Sequence, residues 1–329
     1  MNRPSPEILV LGANPAWQKT LTFPRLMPGE VNRATARDAY AAGKGVNFCR
    51  AAACHGRCRT RLFQFSGGGN GERHEAELRT EGILFHRILT TAETRCCLTC
   101  LDQATGEMTE LIEPSSPVTP EEASAMAALF AEHLPAAAGA AIVGSLPDGT
   151  DPELYFRITQ LAKEQGVPIL FDAVSGIAPA LDLAERFVLK INRRELQKLT
   201  GEEVAETALT VARRRWPEAV FVITGGPEAA WLAVENETYR CKQPPLSILS
   251  PLGAGDTCSV VLFSELLCGT PVKEAFRLAL AAANANCLIP RAGNFEPETR
   301  DEIASLLSVE SFNQYEANYL FFIEDKNAY

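Results

Sequence analysis

The 329-residue sequence has no long block of lysine or arginine, and its net charge is 31 − 41 = −10 with histidine neutral. Nucleic-acid binding, which needs a basic footprint, is excluded on that balance. The N-terminus, Met1 to Glu7, is short and polar. No signal-peptide core and no long apolar span follow it, so the chain reads as soluble and cytoplasmic, with no membrane partner. Ten cysteines are present. Neither Cys49, Cys54 and Cys58 nor Cys96, Cys97 and Cys100 has a second Cys/His pair at zinc spacing, so both groups read as reduced, buried thiols. No Gly-x-Gly-x-x-Gly follows the first strand with a ribose-binding acid behind it, which removes a dinucleotide-dependent oxidoreductase. Internal repeats and low-complexity linkers are also missing.

What is present is ordinary globular composition, 46% hydrophobic and 22% charged, enough for one large domain with a small appendage. Ile8 to Gly12 reads as a buried strand, with Asn14-Pro15-Ala16-Trp17-Gln18 at its carboxyl end. Lys19 to Phe23 and Glu30 to Tyr40 read as extended pieces of a small exposed sheet, because Pro24, Pro28 and Gly29 interrupt them. Phe48 to His55 reads as a helix, Arg61 to Phe65 as a strand and Glu72 to Glu81 as a helix. Thr94 to Leu101 and Met108 to Ile112 read as a hairpin. Strands at 140–143, 168–172, 187–190 and 219–224 alternate with helices at 119–133, 151–165 and from Asn192 onward. Trp231 to Val234 and Thr238 to Cys241 form a second hairpin, and helices at 255–268, 272–288 and 298–307 close the chain. This alternation predicts an α/β fold with a mainly parallel, doubly covered sheet and a small β-sheet lid. The basic run Arg213-Arg214-Arg215 suits a helix C-terminus.

Three glycine-rich turns precede helices. Ala42-Gly43-Lys44-Gly45-Val46-Asn47 carries a lysine between glycines, Gly67-Gly68-Gly69-Asn70-Gly71 is the second, and Leu252-Gly253-Ala254-Gly255-Asp256-Thr257 is the third. A glycine turn that opens a helix leaves backbone N–H groups free and aims the positive end of the dipole outward, which suits an anion. Asp256 at such a mouth is either a helix cap or a base that takes a proton from an attacking hydroxyl while the amides hold a moving phosphoryl group.

The order of these motifs resembles the ribokinase-like carbohydrate kinases of the phosphofructokinase-B family over about residues 8 to 307. Gly29-Glu30-Val31-Asn32-Arg33-Ala34, Gly43 to Asn47 and Gly144-Ser145-Leu146-Pro147 are most similar to the branch that holds 1-phosphofructokinase and tagatose-6-phosphate kinase. Gly67-Gly68 with Gly71, Asn192 with Glu195, Thr224-Gly225-Gly226-Pro227 and Gly253 to Asp256 are general marks of the family. The resemblance implies a three-layer sandwich as one kinase domain, 1–307, with lid segments at about 18–40 and 94–112 inserted and a tail, 308–329, of unassigned role. It implies Asp256 as general base and Gly253, Ala254 and Gly255 as the anion hole. ATP would meet Asn192, Glu195, Thr224, Gly226 and Asn284, with Asn192 and Glu195 helping to place Mg²⁺ indirectly. Gln18, Gly43, Lys44, Asn47 and Arg95 would contact the acceptor together with Asp256, and a homodimer is a further implication.

Several positions depart from the family pattern. Gln18 stands where an aspartate is usual, Ala42 where a glycine, Cys97 where an asparagine and Ile191 where a proline. Ser115-Ser116-Pro117 replaces a Pro-Gly turn. The leading expectation is an ATP- and Mg²⁺-dependent kinase of a phosphorylated ketohexose, fructose 1-phosphate first, then tagatose 6-phosphate or fructose 6-phosphate. One rival is a kinase of an unphosphorylated sugar or nucleoside, motivated by Gln18 and Cys97. The other is a sugar-phosphate sensor without turnover.

Overall fold

Runs of apolar residues with no polar alternation build strands that are covered on both faces, and they dominate the chain. The structure is a computed structural model in which residues 5–312 are described. The chain opens with β1 (Glu7–Leu11), β2 (Ala16–Phe23) and β3 (Ala36–Ala42). It continues through α1 (Lys44–His55), β4 (Arg59–Ser66), α2 (Gly68–Thr80), β5 (Phe85–Leu89), β6 (Cys96–Asp102) and β7 (Met108–Ile112). Then come α3 (Pro120–His133), β8 (Gly139–Val143), α4 (Glu153–Glu164), β9 (Ile169–Asp172), α5 (Ala178–Ala184), β10 (Val188–Asn192), α6 (Arg193–Thr200) and α7 (Ala205–Arg215). The last part holds β11 (Val220–Thr224), β12 (Ala229–Val234), β13 (Glu237–Lys242), α8 (Ala254–Leu267), α9 (Val272–Asn286), α10 (Pro297–Leu306) and β14 (Val309–Ser311).

The main sheet has the order β14-β13-β12-β11-β10-β9-β8-β1-β4-β5. From β11 to β5 every pairing is parallel, while β12, β13 and β14 add an antiparallel edge. One face is covered by α1, α8, α9 and α10, and the other by α3 to α7, each with its own buried cluster. The three-layer expectation is met. From β1 the chain winds out to β4 and β5, then returns and winds the other way through β8 to β11. The crevice beyond the carboxyl ends of β1 and β8 is therefore a topological switch point, where ligands gather in open α/β sheets.

A separate four-stranded sheet, β3-β2-β6-β7, stands over that end. In it β2 runs antiparallel to β3 and parallel to β6. This is the expected lid. Its β3 begins only at Ala36, so the residues around Glu30 to Thr35 are not strand; Asn32 instead folds back, its amide and carbonyl bonded to Met27 and Glu30. Before the last strand, two elements carry no clear sequence signal. β5 is a five-residue edge strand that holds His86 and Arg87, and α5 is seven residues long.

Beyond residue 307 the chain still belongs to the sheet, because β14 pairs with β13. Residues 313–329, the rest of the expected tail, lie outside the described residues, as do 1–4. Among the described residues no helix is long and apolar enough to cross a membrane.

Candidate active site

Helices α1 and α8 both begin at the carboxyl end of the sheet, beneath the lid. Gly43 caps α1 and Gly253 caps α8. Asp256 lies in the first turn of α8 and is 6% exposed. Its Oδ2 accepts a hydrogen bond of 2.8 Å from Asn47 Nδ2, one turn into α1. The Asn47 Oδ1 atom is buried and has no hydrogen-bond partner in the structure. Lys44, at the start of α1, places Nζ 2.7 Å from Asp172 Oδ1 at the end of β9. Lys190, buried in β10, places Nζ 2.8 Å from Asp172 Oδ2. Ser259 Oγ donates to the same oxygen at 2.6 Å. A Cβ added to Gly255 would fall 2.8 Å from Lys190 Nζ, so this ammonium sits directly against the α8 N-terminus.

The electrostatics follow from this packing. Burial is the largest influence on Asp256 and pushes its carboxyl up to about 6; Asp172 adds to the rise, while Lys44, Lys190 and the Asn47 hydrogen bond oppose it. Burial also opposes charge on Asp172, but Lys190 and Lys44 outweigh it and hold that carboxyl well below the usual carboxylate range. For Lys44, burial is again opposed, by Asp172 and then Asp256, and the ammonium is held well above the ordinary lysine range. Two cations thus lie beside a carboxylate whose pKa burial raises and a helix N-terminus. A developing negative charge is stabilised in such a place, and a proton can be accepted there.

The remaining predicted residues fall into four places. Arg95 joins Asn14, Thr94, Ser115 and Ser116 around a cleft at the foot of the lid. Its Nε is buried without a hydrogen-bond partner. Asn14 links the cleft to Lys44: its Nδ2 lies 3.2 Å from Ser115 Oγ, Ser145 Oγ and Leu146 O, and Ser145 follows Gly144, which packs on the Lys44 side chain. The glycine turn at Gly67–Gly71 is bonded to the segment that lines this cleft. The amide of Asn70 donates to Glu93 Oε1, and Asn70 Nδ2 donates to Thr94 O.

Asn192, Thr224 and Gly226 line a common pocket with Arg194 and Gln197, because Asn192 of β10 and Thr224 of β11 are register partners. The helix expected from Asn192 onward begins one residue later, at Arg193, and Asn192 is its N-cap. Its side chain accepts from Glu195 N at 2.9 Å, and Glu195 Oε2 accepts from Asn192 N at 2.8 Å, a reciprocal capping box. Glu195 also adds to the electrostatic hold on Lys44.

Asn284 does not line that pocket; its Nδ2 donates to Gln243 Oε1 and Leu280 O. Gln18 lies within the lid, where its Nε2 donates to Thr99 Oγ1 at 2.8 Å. The Ala254 amide, one of the expected anion-hole groups, donates to Pro251 O at 3.3 Å. The Gly253 turn follows a long loop after β13 instead of a strand. Asp172 and Lys190 are the residues that sequence reasoning passed over. Their signal was a charged residue at the end of, or inside, an otherwise apolar strand, a costly placement unless the charge is paired.

Comparison with known proteins bears on the family and the fold. Residues 7–299 match the profile of the pfkB family carbohydrate kinases. The chain is 29% identical over 293 residues to the ATP-dependent 6-phosphofructokinase isozyme 2 of Mycobacterium tuberculosis, covering 87% of this chain and 85% of that one. It is 29% identical over 312 residues to the 1-phosphofructokinase of Xanthomonas campestris pv. campestris, covering 92% and 98%. It is 25% identical over 316 residues to the tagatose-6-phosphate kinase of Staphylococcus epidermidis, covering 92% and 99%. The fold is similar to that of phosphofructokinase-2 from Escherichia coli in complex with fructose-6-phosphate, with a TM-score of 0.80 at 23% identity over 92% and 99% of the two chains.

Proposed function

The chain belongs to the pfkB family of carbohydrate kinases, and from that premise we propose that it transfers the γ-phosphoryl group of ATP to a hydroxyl of a phosphorylated ketohexose. Fructose 1-phosphate is the first candidate, with tagatose 6-phosphate and fructose 6-phosphate next. The observation that carries the reading is Asp256: a buried carboxylate at a helix N-terminus, held by Asn47 and flanked by Lys44 and Lys190.

The acceptor hydroxyl gives its proton to the Asp256 carboxylate as its oxygen bonds to the γ-phosphorus. The bond from that phosphorus to the β–γ bridging oxygen breaks, and ADP leaves. The amides of Gly253 and Gly255 at the start of α8 and the ammonium of Lys190 face the charge on the moving group. Asn47 fixes the base through Nδ2, and its buried Oδ1 is suited to accept from a sugar hydroxyl. The nucleotide would lie along Asn192, Thr224 and Gly226. Mg²⁺ keeps most of its waters and needs only one or two carboxylates beside substrate phosphates; Asn192 and Glu195, the latter within electrostatic reach of Lys44, would help to place such an ion indirectly, through its waters. When bound, such an ion neutralises phosphate charge.

The case for a phosphorylated acceptor is Arg95. A guanidinium Nε buried without a partner, in a cleft that Asn14 connects to Lys44, is suited to an anion such as the acceptor's own phosphate. The names of the three relatives point the same way. ADP release with Mg-ATP, measured against fructose 1-phosphate, fructose 6-phosphate, tagatose 6-phosphate, free hexoses and nucleosides, tests the reading. Turnover confined to a phosphosugar is expected, and Arg95→Ala should raise the acceptor KM by roughly 10-fold or more, the value of one charge-assisted hydrogen bond. Turnover only on unphosphorylated acceptors, or an unchanged KM in the variant, overturns the phosphosugar assignment.

A further inference from the structure

Three stretches of backbone meet at the start of α8. Gly253 has φ +80°, and a Cβ there would lie 2.5 Å from Gly293 N and 2.9 Å from Ala292 Cα. Gly293 also has φ +80°, and its Cβ would lie 2.5 Å from Asn47 O and 2.8 Å from Asn47 Cα. Leu252–Gly253, Ala292–Gly293 and the Asn47 backbone are therefore stacked in direct contact. Gly253 and Gly293 are each in a conformation, and at a distance, that a larger residue would not allow. The two outer members carry the parts of the site: Gly253 opens α8 in front of Asp256, and Asn47 holds Asp256.

One buried side chain ties this stack together. Asn286, at the end of α9, is 0% exposed. Its Oδ1 accepts from Gly293 N at 2.7 Å and from Thr257 Oγ1 at 3.2 Å. Its Nδ2 donates to Leu252 O at 2.8 Å. A carboxamide is suited to this task, because it offers two acceptor lone pairs and donors on one small planar group. The three partners lie on three different segments: the loop into α8, the first turn of α8 after Asp256, and the loop that presses on Asn47. Buried polar groups of this kind specify one arrangement, because any other leaves a donor or acceptor unpaired in a dry interior.

We infer that Asn286 is a positioning residue for phosphoryl transfer. It touches neither substrate nor reacting atoms; it fixes the distance between the amides at the start of α8 and the Asn47–Asp256 pair. The inference rests on the kinase reading of Asp256. Without Asn286 the loops at 252–253 and 292–293 lose their common anchor, and the base and the anion hole no longer hold one relative geometry. A misplacement of about 1 Å at such a site can cost on the order of 10²-fold in rate. Substrate binding depends on other groups, so the loss falls on kcat.

The test uses the full chain with Asn286→Ala, and with Thr257→Val beside Thr257→Ser, where the serine keeps the hydroxyl that the valine lacks. The expected result is a kcat reduced at least 10-fold in Asn286→Ala, with KM values for nucleotide and acceptor within about threefold of the parent, as for an interaction that matters only in the transition state. Thr257→Val should lose part of kcat and Thr257→Ser should recover it. A folded Asn286→Ala protein with parental kcat overturns the inference. Should Asn286→Ala fail to fold, the threonine pair decides: equal kcat in both rejects it. Amide hydrogen exchange of residues 252–258 and 292–294 supplies a readout independent of turnover. Exchange should quicken there in Asn286→Ala and Thr257→Val and return in Thr257→Ser. A parent protein that turns over no acceptor sinks the kinase reading, while unchanged exchange sinks the role of Asn286.

Discussion

Asp256 is built against its own stability. An ordinary aspartate ionises near 3.8, whereas burial pushes this one up to about 6. Between those two values the folded protein binds a proton that the unfolded chain has released. Stability therefore falls as pH rises from about 4 to about 6, and above 6 the folded state carries the full penalty of a buried charge. Asp256→Asn removes the penalty and keeps an oxygen to accept from Asn47. The variant should have no measurable turnover and yet be more stable than the parent at pH 7 by about 1–3 kcal/mol. The gap should nearly close at pH 4. The parent's kcat/KM should rise about 10-fold per pH unit below 6 and level off above. Urea unfolding of both proteins at pH 4 and 7 checks the first part; a gap that does not change with pH rejects the raised pKa. Asp256 stood out in the sequence because glycines and a helix surround it. Asp172 and Lys190 did not, because each reads as a lone charge in an apolar strand, and only folding brings them within 2.8 Å of each other.

The elements that carry the site hang on two junctions, and one joins lid to body. As β3 ends it passes Tyr40 and Ala41 and runs straight into Gly43 and Lys44. Arg50 of α1, its side chain 4% exposed, grips Glu81 with Nε at 2.7 Å and with a second nitrogen at 2.8 Å. The same guanidinium donates to Ala41 O. Arg291 reaches Glu81 and Glu77 from the loop after α9, and the two guanidinium groups lie 5.7 and 5.2 Å from the Tyr40 ring centroid. Burial opposes the Glu81 charge, but Arg50 and Arg291 overcome it and hold the carboxyl below its ordinary range. Glu81→Gln leaves a buried guanidinium without its bidentate partner, and should cost about 2–4 kcal/mol. Because the break lies at the root of the lid, the acceptor KM should rise more than the nucleotide KM. Thermal unfolding and the pair of KM values measure both effects; equal changes in the two KM values reject the junction as a lid anchor. The body's strands were legible because covered parallel strands are continuous apolar runs. The half-exposed β5 and the short α5 carry no such run. The cap at Asn192 was hidden because an N-cap and the first residue of a helix look alike in a sequence.

At the scale of the molecule, winding order decides where chemistry sits. The chain turns back between β1 and β8, so the loops after β1, β8 and β9 and the starts of α1 and α8 converge on one rim. Strand–helix alternation revealed that architecture, since each crossover needs a helix. It could not reveal the far edge of the sheet, where three residues complete the ladder. There Val309 pairs with Cys241 and Ser311 with Tyr239, and the Phe312 amide donates to Thr238 O. Phe312 and Leu307 are nearly buried. The sequence placed the end of the core before residue 308, because a three-residue strand has no periodicity to read. The pairing makes residues 308–312 part of the fold. A chain ending at 307 loses the β14 ladder and the buried Phe312 ring, together about 3 kcal/mol, and uncovers the edge of β13, an open template for pairing with another chain. Compared with a chain ending at 312, it should unfold at lower denaturant and form aggregates on mild heating. Its active-site rim lies at the other end of the strands from Phe312, so kcat at low temperature should match. Urea midpoints, light scattering and kcat for the two chains test this, and equal midpoints would show that β14 adds nothing to the fold.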